Sequence, residues 1–445
     1  MWGSLAGEIL RVRSQRGQRI FAAIGLGLGV VCYGAPNASA QVAPEYQYTP
    51  DVFQDEIPRG ETVRTRQRPE LEPLGLHVGS FFMFPSITNG ISFTDNVFAT
   101  ESHKKSDFIY TLAPQFNVRS DWNTHSVELA AGGRLGYHFD QTGEDYQDAF
   151  ASAAGRLDVS SHTVVHGKLN LNRDHEERGD PNDVNGSEPT VFYTYAGTVD
   201  AAHRFNRLTL SMAGDIRRID YDNTPAANNT TIDNSDRNRV EYRPGVKAAY
   251  EFSPGYSGFI RAEGDIRHYD KTYDSNGFKR DSTGFDVVGG ASVDLTGLLF
   301  GDFYAGVRQR YFDDTRFDSI TGPVVGSTLT WIPTGLTTVK LKIDNQVIES
   351  TGVNTSGYSS TSVTLGVDHE LLRNLILSAN LGGRYDDFEG ISRTDKYVSG
   401  SVGADYLWNR YLTLSGRYGI TNRDSNAANT DYTSNLFSLF LTAQL

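Results

Sequence analysis

Residues 436–445 read Leu-Phe-Ser-Leu-Phe-Leu-Thr-Ala-Gln-Leu. Phe437, Leu439, Leu441, Ala443 and Leu445 are apolar at every second position, and Ser438, Phe440, Thr442 and Gln444 lie between them. A period of two makes a strand with one oily and one wetter face. With nothing after it to cover an edge, such a strand is a hazard in a water-soluble protein. The hazard disappears if the strand closes a barrel by pairing with the first one. An ordinary edge strand is the other reading, and this stretch alone does not choose between them.

The connections upstream choose. One set is short: 120–124, 160–162, 205–207, 253–255, 296–298, 332–335, 371–374 and 408–410. The other is longer and rich in Asp, Asn, Gly and Ser: 94–106, 140–145, 174–188, 221–237, 270–281, 313–316, 350–357, 387–393 and 423–431. Short and long alternate strictly. A soluble sandwich has no reason to sort its loops this way. In a transmembrane barrel, short turns lie on the periplasmic side and long loops outside. Nine long loops make nine hairpins, so the expected fold is an all-β, antiparallel up-and-down transmembrane barrel of about 18 strands, with both termini periplasmic. Trp331 and Trp408 beside short turns, Trp122 within one, and Tyr137, Tyr221, Tyr269, Tyr311 and Tyr385 before long loops suit interfacial girdles.

Within the segments, apolar and charged residues alternate cleanly. In 240–252, Val240, Tyr242, Val246, Ala248, Tyr250 and Phe252 oppose Glu241, Arg243, Lys247 and Glu251. Ile260, Ala262, Gly264 and Ile266 oppose Arg261, Glu263, Asp265 and Arg267; Phe303, Ala305 and Val307 oppose Asp302, Tyr304, Arg308 and Arg310. Val339, Leu341, Ile343 and Val347 oppose Lys340, Lys342, Asp344 and Gln346. If the apolar faces meet lipid, Arg217, Arg243, Lys247, Arg261, Arg267, Arg308, Arg310, Lys340 and Lys342 line a lumen with Glu263 and Asp265 among them. Two readings of this set stand side by side. One is cross-strand ion pairs that stiffen the wall. The other is a basic strip that guides an anionic solute past opposing acids.

Residues 1–40 have the layout of a secretory signal peptide: Arg11, Arg13, Arg16 and Arg19, an apolar run over 20–33, and Ala38-Ser39-Ala40 as the cleavage site. They carry four Arg and one Glu, so cleavage takes the chain from −13 to about −16. That excess argues against a nucleic-acid partner. The one cysteine, Cys32, lies in the apolar run, leaving a mature chain without disulfides or thiol-bound metal. Residues 41–74 hold Pro44, Pro50, Pro58, Pro69 and Pro73, acids at Asp51, Asp55 and Glu56, and then Arg64, Arg66 and Arg68. No strand or helix period runs through them, so a mobile periplasmic linker is expected before a barrel over 75–445.

Sites for chemistry are sparse. There is no nucleophile elbow, phosphate loop or His-Glu-x-x-His zinc spacing, so neither catalysis nor a cofactor or metal is expected. His162 and His166 share a strand face but lie ~13 Å apart along it, too far to share a metal. His369-Glu370 abuts a short turn and is expected to satisfy backbone groups there. Asp180, Asn182, Asp183 and Asn185 lack the spacing of a calcium loop and are expected to be solvated.

The terminal strand resembles the assembly signal of bacterial outer-membrane barrels, with Leu445 in place of the usual Phe or Trp. The order of motifs resembles the Putative beta-barrel porin 2 family: Pro85-Ser86 with Asp95-Asn96, Ser120-Asp121-Trp122 with His125, Phe205-Asn206-Arg207-Leu208, Asp294-Leu295-Thr296-Gly297-Leu298-Leu299, Leu329-Thr330-Trp331, His369-Glu370-Leu371-Leu372-Arg373-Asn374 and Asn409-Arg410. Most of these sit at short turns. The resemblance implies a porin-like outer-membrane channel, often associated with exopolysaccharide export. Outer-membrane lipid and lipopolysaccharide, the barrel assembly machinery and polysaccharide-export components are the partners it implies. The contrasting expectation is a structural or adhesive surface barrel with a plugged lumen.

Overall fold

The structure, a computed structural model, describes residues 60–445 apart from 227, 296, 351 and 353. The signal peptide and residues 41–59 of the expected linker lie outside the described residues. Eighteen antiparallel strands follow in sequence: β1 (Phe81–Thr94), β2 (Asp107–Ser120), β3 (Ser126–His138), β4 (Tyr146–Ser160), β5 (Thr163–His175), β6 (Val191–Phe205), β7 (Leu208–Tyr221), β8 (Arg239–Ser253) and β9 (Tyr256–Tyr269) make the first half. The second half is β10 (Ser282–Leu295), β11 (Leu299–Phe312), β12 (Ile320–Thr334), β13 (Thr337–Glu349), β14 (Gly357–Leu372), β15 (Leu375–Phe388), β16 (Thr394–Asn409), β17 (Leu412–Ser425) and β18 (Tyr432–Gln444). There is no α-helix among the described residues.

The terminal strand closes the barrel as its alternation suggested. β18 pairs with β17 on one side and with β1 on the other, from Thr94↔Leu436 to Ser86↔Gln444. The first residues of β1, beyond the reach of β18, pair instead with a short strand, Leu76–Val78. Closure gives nearly every wall N–H and C=O a partner, which a lipid-immersed backbone requires.

The apolar faces point out. Val246, Ile260, Phe303 and Leu439 are among many large apolar side chains at least half exposed. The alternate residues face in, since side chains on strands that are not neighbours reach one another there: Arg310 of β11 pairs with Asp265 of β9. Trp331, Trp408, Tyr137, Tyr311 and Tyr385 are exposed at strand ends, as a girdle needs. Two expected girdle members are not: Tyr269 is buried on the inward face near Arg239, and Tyr221 stacks on Phe192 beneath Arg237. Their parity puts them inside, so strand-end position alone misjudged them.

The short turns match the motifs around them. Asn206 takes φ +56°, a left-handed conformation that Asn tolerates better than most residues, so Phe-Asn-Arg-Leu encodes a two-residue hairpin. Register shifts fall beside five short turns, at Asp158/Ser160, Glu251/Ser253, Trp331/Thr334, Glu370/Leu372 and Leu407/Asn409. Bulges there tighten the twist as each hairpin reverses.

Candidate functional site

Seven of the nine basic residues expected on the inner wall are placed there in paired or packed positions. The arginines are buried or half-buried among acids of their own strand or of other strands. Arg308 Nε donates to Asp286 Oδ1 at 2.8 Å, and Arg261 Nε lies 3.4 Å from Glu263 Oε2. Arg243 and Arg217 share Glu241 at 3.4 and 3.8 Å. Arg267 and Arg310 share both Asp265 and Glu349. Lys247 Nζ sits 4.9 Å above the ring centre of Phe259. The wall-stiffening arrangement therefore describes these seven. Lys340 and Lys342 differ: both are exposed on β13, with no ion pair among the described residues. Charge balance within the wall, partly along single strands and partly between them, separates the two groups.

The third long loop, between β5 and β6, folds inward rather than lying in solvent. Its polar side chains find partners on the barrel's inside. Arg178 meets Glu144 through two bonds of 2.8 Å, and Arg237 grips Glu176. Asn182 Nδ2 donates to the Glu349 carbonyl at 2.9 Å, eight strands round the barrel from β5. Arg423 Nη1 on β17 donates to the Gly179 carbonyl at 2.7 Å. Gly179 has φ +84°, and a Cβ there would lie 2.7 Å from the Cβ of Ala99, so the close approach needs glycine. Burial pushes the Asp180 carboxyl above the usual carboxylate range, against the pull of Arg384 and Arg237. The same cause raises Glu176, offset by Arg237. Asp180, Asn182 and Asp183 thus belong to the infolded part of the loop, whereas Asn185 is exposed, as expected. Asp180 and Asp183 accept bonds from the backbone N–H of Asn182 and Asn185, which holds the loop's turns.

At the short-turn end, residues 60–74 cross the opening as a strap, although this stretch was expected to be mobile. Val63 is buried, its N–H donating to Thr338 Oγ1 at 2.9 Å. Arg64 reaches Asp368 at 2.9 Å and Asp405 at 2.6 Å. Arg68 and Glu370 form a buried pair at 2.6 Å, joined by Arg66 at 3.5 Å. Burial opposes the charge on Arg64, but Asp368 and Asp405 outweigh it and hold its guanidinium above the ordinary value. Glu370 serves this strap, not the backbone of its own turn, while His369 Nδ1 bonds Thr337 Oγ1 at 3.0 Å. The arginines at 64, 66 and 68 were visible in the sequence. Their acid partners were not, because they come from strands more than 300 residues later. His166, on the inner wall, bonds Asp200 at 3.0 Å, a cross-strand pair. No group of three His, Cys, Asp or Glu side chains suited to a metal occurs among the described residues.

An 18-strand closed barrel with an apolar outer belt, a charged inner wall and an infolded loop is a porin-like outer-membrane barrel. The chain belongs to the Putative beta-barrel porin 2 family, whose model matches residues 68–445. The family places it among porin-like barrels of the outer membrane. Similar solved structures include OccK2 (OpdF) of Pseudomonas aeruginosa, 11% identical with a TM-score of 0.46, covering 83% of this chain and 98% of that one. The outer membrane protein opdK of the same organism is 12% identical with a TM-score of 0.44, covering 82% and 99%. A ferric enterobactin receptor (PfeA) mutant of P. aeruginosa is 8% identical, TM-score 0.44, covering 87% and 84%. No curated protein matches the chain.

Proposed function

We propose that this barrel is a regulated axial conduit for a hydrophilic, anionic solute, with an exopolysaccharide as the substrate class that the family resemblance suggests. The observation that carries the reading is Lys340 and Lys342, two exposed inward lysines in a wall whose arginines are otherwise neutralised. Free cations attract an anion, and paired ones do not hold it, so passage is favoured over trapping. The infolded loop limits width, and the strap closes the short-turn end until it moves. On this reading the short-turn end and the strap are periplasmic, and export components would meet the barrel there. A structural barrel with a plugged lumen is the second reading, favoured by the same strap and loop.

Planar-bilayer recordings separate the two. The conduit reading expects ion current from the full chain, larger after deletion of residues 41–74, and blocked more by tetragalacturonate than by maltotetraose. No current from either form, with the barrel shown to be folded, supports the plugged barrel and overturns the conduit.

A further inference from the structure

Most neighbouring strands pair over nearly their whole length, but β12 and β13 do not. Their ladder runs from Thr334↔Thr337 through Trp331↔Val339 to Ser327↔Ile343 and stops. Beyond it, residues 320–326 are bonded only to β11 and residues 344–349 only to β14. If the register continued, Gly326 would face Asp344 and Pro323 would face Val347. Pro323, which has no N–H to offer, sits midway along this abandoned edge, where a proline costs no ladder bond.

Parity shows where the end of β13 has gone. Val347 and Glu349 alternate in step with Leu341 and Ile343 on the expected lipid face. Yet Glu349 pairs with the inward Arg267 and Arg310, and Arg267 also donates to the Val347 carbonyl at 3.4 Å. Those contacts require the outer part of β13 to lie inside the curve of β12, so the wall overlaps itself there. The expectation that Val347 faces lipid is corrected accordingly: it is buried, like Ile320 and Val324 on the inward parity of β12. The overlap makes a closed slot whose apolar leaves pack against each other.

The slot begins at acyl-chain depth. Val325 and Pro323 lie opposite Ala305 and Val307 on β11, and Val307 belongs to the exposed apolar belt, with the girdle residue Tyr311 beyond it. At its inner rim stand Arg267 and Arg310, held by Glu349 from a strand end. That site is unsaturated: Arg310 Nε and Glu349 Oε2 are buried without a hydrogen-bond partner. Arg280, from the loop before β10, donates to the carbonyls of Ser350 and Thr355 at 2.9 and 2.7 Å and braces the loop that follows β13.

We infer that this slot parts to form a lateral binding site for an anionic amphiphile, with one acyl chain between the separated leaves and the anionic head on Arg267 and Arg310 in place of the Glu349 carboxylate. The occupant follows from the rim, where an anionic head can take the place of the incompletely bonded Glu349 between two arginines, and from the apolar lining at lipid depth. It adds a route from bilayer to lumen that the axial conduit does not require.

The test uses the full chain in nanodiscs with spin-labelled stearate as the probe and spin-labelled phosphatidylcholine as the control. The inference expects a motionally restricted stearate component that the phosphatidylcholine label lacks. Arg310→Gln lowers stearate affinity about tenfold, the scale of one charge-assisted hydrogen bond. Glu349→Gln raises it, since the competing carboxylate is gone. Val324→Trp fills the slot and abolishes the component. Heat-modifiability on gels checks folding; should Val324→Trp not fold, the opposite shifts of Arg310→Gln and Glu349→Gln decide. Identical spectra for the two labels in the unsubstituted protein, or a stearate component indifferent to Arg310→Gln and Glu349→Gln, overturns the inference.

Discussion

Replacing Val246 with arginine tests which face of the wall meets lipid and how deep that residue lies. Val246 is the eighth of the fifteen residues of β8, half exposed and flanked by Met212 on β7 and Ala262 on β9. That central position puts it near the bilayer midplane, where an outward arginine costs roughly 2–4 kcal/mol. At 1.4 kcal/mol per decade, the folded-to-unfolded ratio should fall about thirtyfold to several-hundredfold. Phe252 lies on the same face six residues nearer the short turn. Six residues at ~3.3 Å, on a strand tilted about 40°, descend ~15 Å, which clears half of a ~25 Å apolar band. Phe252→Arg should therefore cost only about 0–1 kcal/mol. Lys247→Gln, one residue from Val246 but facing in, loses a ring contact worth about 1 kcal/mol. Reversible urea unfolding from liposomes, read by tryptophan fluorescence, measures all three. Equal costs at 246 and 252, or a larger cost at 247 than at 246, would refute the face and depth assignment.

Three further outcomes are expected. Replacing Arg64, Arg66 and Arg68 together with Gln should raise single-channel conductance, and concentrated salt should weaken the native strap in the same direction because it screens the exposed Arg64 pairs; unchanged conductance would leave the strap without a gating role. Lys340→Gln with Lys342→Gln should shift the reversal potential in a salt gradient away from anions while leaving stability within about 0.5 kcal/mol, whereas Arg308→Gln should cost stability and barely move selectivity, since it strands Asp286. For the infolded loop, burial raises Asp180 and Glu176 above their unfolded values, so the protonated forms favour the docked loop. Its docking is strongest below the ordinary carboxylate range near pH 4 and weakens as pH rises through the interval up to the raised values. Current fluctuations should grow over that rise, and Asp180→Asn should flatten the dependence; the opposite slope would contradict the burial argument.

What could be read from the chain depended on how locally it was encoded. Alternation within a strand gave the outward face of β8, β9 and β11 residue by residue, because period two is a local property and lipid enforces it along the belt. Loop sorting gave the strand number, since each hairpin is closed by neighbouring residues such as Asn206. Val347 broke the rule because its strand leaves the wall, under the pull of arginines 39 and 80 residues or more away on other strands. The loop holding Asp180 and Asn182 is hydrophilic either way; whether its polar groups meet water or meet Arg423 and Glu349 is decided by the closed shape. Of the two readings of the basic wall residues, ion pairing describes most of them, through acids two places along the same strand, as Glu263 beside Arg261, or on another strand, as Asp286 beside Arg308.

The strap also constrains the order in which the molecule can be put together. Val63 bonds a threonine 275 positions later, and Arg64 bonds an aspartate 341 positions later. Bringing such ends together in an open chain costs about 5 kcal/mol of loop entropy on a logarithmic law. Once the hoop is shut, the path from residue 63 to the wall is only the run to Phe81, and the same law gives about 2.5 kcal/mol. The earliest described part of the chain is thus best placed last, after every strand that receives it. A lesion in its arginines should therefore spare insertion and appear only as a missing final step, in a molecule that is otherwise finished.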